Sequence, residues 1–263
     1  MEIGVSTASL FMRCYNEDAL PLLDALDARV VEVFLESFSE YTREYAALLK
    51  NRKGGLKVHS VHTVTMNFET ELFSKNDRAY ADAFTFFEGV LETAKTLGAG
   101  NYTMHGKARI KKSPLYDEYP FIGRRFEELC SAASEKGVSL CLENVSWAYY
   151  NRPGYFTEIK KYAPSLKATL DVKQARISGF DYREYLDEMG ESIGTVHLSD
   201  VDDNGKIRLP GRGNFDFEEL LKRLKDVGFD GACLIEVYKD DYGDVAEIRQ
   251  SADYLRELVY KIF

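Results

Sequence analysis

Short runs rich in β-branched residues alternate along this chain with longer stretches of helical period. Period-two alternation marks strands near 3–8, 30–35, 57–63, 101–106, 138–144, 167–172, 193–199 and 231–237. Apolar residues spaced three and four apart predict helices over roughly 16–27, 39–50, 75–97, 120–136, 155–162, 181–189, 216–227 and 244–260. Gly98, Gly137, Gly190 and Gly228 stand where helices should stop, and Asn76, Asp181 and Asp216 where they should be capped. No Pro/Gly/Ser-rich linker or shift in composition divides the chain, so one domain over 1–263 is expected. Eight strand–helix units of about 33 residues each predict an α/β fold, a single (β/α)8 TIM barrel. The competing open sheet carries a glycine-rich first turn, which GVSTASL is not.

The strand ends carry the chemistry. Near the C-terminal ends of six predicted strands stand His62, His105, Glu143, Asp171, His197 and Glu236. The residue before each is apolar: Val61, Met104, Leu142, Leu170, Val196 and Ile235. Strand side chains alternate faces, so these six point toward the helices and the polar six point inward at the barrel mouth. Two positions back, sharing the inward face, lie Ser60, Thr103, Cys141, Thr169, Thr195 and Leu234, mostly small. Carboxylates and imidazoles gathered at one depth repel or stay unsatisfied without a shared counter-ion, which a divalent metal supplies. A lone strand histidine is more often a hydrogen-bonded core residue, and His59, of opposite parity to His62, is expected at the strand–helix interface.

Composition narrows the partners. With 45% hydrophobic residues in 263, the chain can bury a substantial core. A net charge of −9 disfavours non-specific nucleic-acid binding. The four cysteines form no CxxC, which fits a reducing, cytoplasmic setting. No basic-then-apolar leader and no apolar run near 20 residues is found, so no membrane association is expected.

The runs VHTVTMNF, MHG, LEN, LDVKQA, VHLSD followed by LPGRGNFDF, and LIEVY, in this order, resemble the sugar-phosphate isomerase/epimerase superfamily. This is the xylose-isomerase-like TIM-barrel group, which is related to endonuclease IV. The resemblance implies a divalent ion (Mn, Mg, Zn or Co) held by Glu143, Asp171, His197 and Glu236. It also implies an optional second ion near His62 and His105, sharing Glu143, as in the nuclease members. Where many members have Asp-x-x-His, Gln174 takes the histidine place, and the loop GKIRLPGRG offers Lys206 and Arg208 where the nucleases have Asp-x-His. The ligands of a third ion are thus missing, which counts against a DNA-repair nuclease and weakens assignment to the ketose 3-epimerases.

The implied activity is metal-dependent isomerisation or epimerisation of a small sugar, polyol or hydroxy-keto substrate. An ion chelating a carbonyl and the adjacent hydroxyl acidifies the intervening C–H and stabilises the enediolate, while Glu143 and Glu236 remove and return the proton. An inosose-type dehydratase is the nearest alternative. An endonuclease IV-like phosphodiesterase and a non-catalytic sugar-binding barrel stand behind it. The expected partner is a carbohydrate-like small molecule, and the family also contains homo-oligomers. Further substrate contacts are expected among Lys173, Gln174, Arg212, Trp147 and Glu32. Lys173, Arg212, Lys107 and Arg109 read as either anion contacts or solvated loop charges, and Trp147, Tyr149 and Tyr150 as either ring-stacking wall or loop packing. Glu32 reads as either a supporting or substrate group or one half of a buried ion pair.

Overall fold

The structure, a computed structural model, describes residues 1–64, 68–109 and 118–263. Residues 65–67 of the VHTVTMNF run lie outside the described residues. The β-branched runs form eight strands: β1 Glu2–Ser6, β2 Val30–Leu35, β3 Lys57–Thr63, β4 Asn101–Met104, β5 Ser139–Glu143, β6 Lys167–Asp171, β7 Ile193–Leu198 and β8 Ala232–Ile235. Every neighbouring pair is parallel, and β8 returns to β1 (Glu2 beside Ala232, Val5 beside Ile235), so the sheet closes into a barrel. Helices cover the outside, the longest being Asp77–Leu97 and Ala246–Ile262. This is the TIM barrel that the alternation predicted.

Local rules account for much of the outer layer. Asn76 Oδ1 accepts from Arg78 N, Asp216 Oδ1 from Glu219 N, and Asp181 with Glu184 forms a reciprocal capping box. Gly98 ends the long helix with φ at +75°, a conformation that costs a side chain dearly. Helix Phe217–Asp226 buries Phe217, Leu220, Leu221 and Leu224 as a stripe against the barrel. Val61, Met104, Leu142, Leu170, Val196 and Ile235 are all buried between strands and helices, as their parity required. Among the described residues no helix is long and apolar enough to cross a membrane.

Three features depart from the sequence expectation. The predicted helix over 39–50 splits into a 3-10 turn, Phe38–Glu40, and a helix, Arg43–Arg52, because Thr42 accepts from Tyr45 N and starts the helix afresh. After β7 the chain forms a small antiparallel hairpin, Asp200–Val201 with Ile207–Arg208, before the glycine-rich loop.

The third departure corrects His59. Its ring faces into the barrel, with Nε2 3.1 Å from both Gly194 O and Thr195 Oγ1 and 3.2 Å from Asn101 Nδ2. The β2–β3 register shifts, Val31 pairing Val58 but Glu32 pairing Ser60, so the extra residue in β3 breaks simple alternation. A matching shift in the β6–β7 ladder falls at Gly194, where an added Cβ would lie 2.8 Å from Cys141 Sγ.

Candidate metal centre

Four strands deliver one polar group each to a single point at the C-terminal mouth. Asp171 ends β6 and also caps the helix Val172–Ile177, its Oδ1 accepting from Gln174 N at 2.8 Å. That leaves Oδ2 free to face inward. Asn144 holds the Asp171 backbone from both sides, accepting from Asp171 N at 2.8 Å and donating to Asp171 O at 2.9 Å. Glu143 ends β5, His197 lies in β7, and Glu236 follows β8 with its backbone N–H donating to Leu198 O.

His197 Nδ1 lies 3.1 Å from Glu143 Oε1, 3.2 Å from Glu236 Oε2 and 3.9 Å from Asp171 Oδ2. One ligand atom from each of the four residues falls within 4.8 Å of all the others. Atoms bound to one ion at about 2.0–2.2 Å stand roughly 3–4 Å apart, so the spacing suits a shared divalent ion. Asp171 Oδ2 and Glu236 Oε2 are buried without a hydrogen-bond partner, an arrangement that costs free energy unless something else occupies the centre. The donor set of three carboxylates and one imidazole suits manganese, magnesium, cobalt or zinc.

A second group shares Glu143. Its Oε2, also without a hydrogen-bond partner, is 3.4 Å from His105 Nε2 and 3.7 Å from His62 Nε2. His62 Nδ1 donates to Thr103 O at 2.9 Å, which leaves the Nε2 lone pair for the centre. His105 Nδ1 faces Glu69 Oε2 at 3.4 Å. Glu69 is itself buried and accepts from Thr63 Oγ1, Tyr102 OH, and the backbone N–H groups of His105 and Gly106.

Behind the ring lie two further charges. Glu32 accepts from Ser6, Ser60 and Thr103 hydroxyls, and its Oε1 stands 3.0 Å from His197 Nε2, off the line of an aligned hydrogen bond. Burial opposes its ionisation, but His197, His62 and the Ser60 hydroxyl outweigh burial and hold the carboxyl well below its usual range. Lys173, in the first turn after Asp171, donates from Nζ to Glu236 Oε1 at 3.4 Å. The ammonium lies 4.0 Å from Asp171 Oδ2 and 4.4 Å from the Tyr238 ring centre. Burial opposes this charge too, and Asp171 and Glu236 more than offset it.

In the ion-free ring, burial together with the Glu143 and Glu236 carboxylates pushes Asp171 up to about 7, against the pull of Lys173. A carboxyl raised in the folded state favours folding at low pH, and that contribution is lost as pH rises from about 4 toward 7. Protons therefore compete for the centre below about pH 7. Metal affinity, followed by calorimetric titration, is expected to fall steeply between about pH 7 and 5.5. Equal affinity at both values would contradict this assignment.

The ring opens on a cavity of about 380 Å³. His62, His105, Glu143 and Glu236 line its polar side; Phe11, Phe34, Val64, Val145 and Trp147 form apolar walls; Met12, Tyr238, Lys239 and Asp240 stand around the rest. Gln174 also lines it. Its Oε1 accepts from Ser146 N and Oγ, which turns the amide NH2 away from that pair.

The other sequence-derived contacts lie elsewhere. Glu32 and Lys173 are not among the lining residues but buried beside the ring. Arg212 reaches Gln250 on the surface, Arg208 pairs with Asp202, and Lys107 pairs with Glu118 at 3.0 Å. Arg109 is exposed, its backbone N–H donating to Trp147 O. Tyr150 packs away from the mouth on Tyr155 and Phe156 and donates to Glu188; Tyr149 stands near Lys107. Sequence reasoning missed Glu69 and Asn144. The asparagine stands inside the LEN motif, directly after Glu143, which was the available signal.

Comparison with known proteins agrees with the fold. Residues 20–258 match the family model described as xylose isomerase-like TIM barrel. An uncharacterized protein of Methanocaldococcus jannaschii is 30% identical over 158 residues, 56% of this chain and 55% of that one, so the chain spans about half the length of that relative. An inosose isomerase of Halalkalibacterium halodurans is 22% identical over 87% of this chain and 86% of its own. Among solved structures, a D-tagatose 3-epimerase-like protein superposes with a TM-score of 0.82 at 18% identity, covering 100% of this chain and 98% of that one. The IOLI protein with a bound zinc atom superposes at 0.79 and 20% identity, covering 100% and 99%. A closed eight-stranded parallel barrel, matched by the family model over nearly its whole length, places this chain in the xylose isomerase-like TIM barrel family.

Proposed function

We propose that this chain is a divalent-metal-dependent isomerase or epimerase of a small sugar, polyol or hydroxy-keto compound. The observation that carries the reading is the convergence of His197 Nδ1 with unpartnered, buried carboxylate oxygens beside a cavity of about 380 Å³. Relatives named for inosose isomerisation and a structural neighbour named for 3-epimerase likeness support the substrate class, and the neighbour with bound zinc supports the metal. Glu143, Asp171, His197 and Glu236 hold the ion, which when bound acidifies a C–H beside a carbonyl and stabilises the charge left on oxygen.

The protein's own residues do the rest. Glu143 and Glu236 come from strands three places apart in the barrel order and both line the cavity, so a substrate seated there meets a carboxylate on either side. One removes a proton and the other returns it: return to the opposite face of the same carbon epimerises, and return to the neighbouring carbon isomerises. The apolar walls exclude water, and Gln174 offers an amide donor to a substrate oxygen. His62 and His105, held with Nε2 toward Glu143, are placed either for a second ion or for the substrate's far hydroxyls.

The direct test is metal content per chain by mass spectrometry after dialysis, with turnover of a ketose and inosose panel before and after chelation. One or two equivalents, with activity lost on chelation and restored by Mn²⁺ or Co²⁺, is the expected result; metal-independent turnover would overturn the reading. Trp147, whose ring lies tilted against His105 with centres 5.0 Å apart, should serve binding more than chemistry. Trp147→Ala is expected to raise KM by about 10-fold or more, the effect of removing one aromatic wall, with kcat changed far less. A fall confined to kcat would place Trp147 in the chemical step.

A further inference from the structure

Lys173 is a buried cation at this centre that the proposed chemistry does not use. It sits two residues after Asp171, is 5% exposed, and is not among the residues lining the cavity. Its ammonium faces Glu236 Oε1, Asp171 Oδ2 and the Tyr238 ring. Three carboxylates, Glu143, Asp171 and Glu236, converge there, and Glu32 adds a fourth charge behind His197. Like charges gathered in a buried site repel strongly unless a cation is built in.

We propose that Lys173 is a built-in counter-charge, a positioning residue that holds Glu236 and Asp171 in ligand geometry whether or not an ion is present. The inference rests on the metal-centre reading above and extends it. Because the ammonium occupies Glu236 Oε1, the carboxylate presents only Oε2 to the ring, where it stands 3.2 Å from His197 Nδ1. The ring is thus preformed: the ion enters a set of donors already spaced, instead of gathering them. The same positive charge also opposes the ion, and at this buried distance the repulsion outweighs the gain from preformed donors, so Lys173 trades metal affinity for a stable ion-free barrel.

The test is a substitution whose two effects run in opposite directions. Lys173→Met, nearly matched in length, is expected to lower the ion-free melting temperature by about 5–15 °C, as for one broken buried ion pair. Saturating Mn²⁺ should restore most of that loss. By linkage, a variant destabilised more without the ion than with it must bind the ion more tightly, so the Mn²⁺ Kd should fall by roughly tenfold or more in Lys173→Met. Equal melting losses with and without ion, which by the same linkage leave Mn²⁺ affinity unchanged, or a larger loss with the ion and a weaker affinity, would overturn the proposal.

If Lys173→Met does not fold, the ion-free double-mutant cycle with Glu236→Gln decides. Lys173→Gln, Glu236→Gln and the pair are compared by melting, and the double variant should lose clearly less than the two single losses together. Additive losses would overturn the proposal. A wild-type protein that binds no Mn²⁺, Zn²⁺ or Co²⁺ would sink the metal-centre reading, while this cycle, run without metal, would still show whether Lys173 and Glu236 are coupled.

Discussion

Replacing either Glu143 or Glu236 by glutamine is expected to cut turnover by about 10²–10⁴, the usual contribution of a positioned acid or base. The amide keeps the size of the side chain and an oxygen that can face the ring, but it cannot take a proton. The barrel should survive both changes, since among the described residues neither glutamate side chain bonds the backbone: Glu143 Oε1 meets His197 and Glu236 Oε1 meets Lys173. The two variants should differ in kind. In the one that retains the group removing the proton, substrate should still exchange its hydrogen with solvent while net conversion stops; in the other, exchange should stop too. Near-wild-type turnover in both, with metal still bound, would show that the pair is only a cage for the ion.

The second large effect concerns the ion itself. Asp171→Ala removes Oδ2 from the ring and Oδ1 from the start of helix Val172–Ile177, so it should empty the centre and loosen the turn after β6. Expected metal content after dialysis falls from at least one equivalent to near zero, and activity falls with it. Gln174→Ala, at the neighbouring mouth position, should leave the ion in place, because its Oε1 is engaged by Ser146 and a neutral amide is a weak ligand. Metal analysis with the opposite order, an empty Gln174→Ala and a loaded Asp171→Ala, would move the centre elsewhere. The comparison also separates loss of metal from loss of fold: Asn144 still grips the backbone of residue 171 in both variants, so their circular dichroism should match the parent.

The fold and the ring were legible for a shared reason. A parallel strand under helices must show apolar residues outward, so Val61, Met104, Leu142, Leu170, Val196 and Ile235 fixed which neighbours point in. Residues that depart from strict alternation were hidden. His59 reads outward until the extra residue in β3 turns it across the barrel to Thr195, and nothing in the string VHSVH marks a bulge. Glu69 was hidden for another reason: it acts from the 3-10 turn Glu69–Phe73, reaching back to the backbone at His105 and Gly106, a contact made by chain geometry with no local pattern. From the sequence Lys173 reads as an anion contact or a solvated charge and Glu32 as a substrate group or a buried ion-pair partner, because sequence parity gives the face of a side chain and not its depth. Depth follows from what covers it: hydroxyls from β1, β3 and β4 enclose Glu32, and Glu236, Asp171 and Tyr238 enclose the lysine.

The cavity gives the chemistry its limits. Among the described residues lining it, Lys239 is the single cation, against Glu143, Glu236 and Asp240. A substrate with several hydroxyls and one carbonyl suits such a lining, its polar edge toward the ring and its apolar face against Phe34, Val64 and Trp147.

Solvent hydrogen incorporation tests the central claim most directly. Metal-loaded protein is incubated in D2O with a panel of pentuloses, hexuloses and inososes, and substrate and product are followed together by NMR and mass spectrometry. Proton transfer by the glutamate pair predicts one deuterium at the carbon next to the carbonyl in each product molecule formed, dependent on the divalent ion and lost in Glu143→Gln or Glu236→Gln. Product that forms with no deuterium, at a rate indifferent to the ion, would contradict the account.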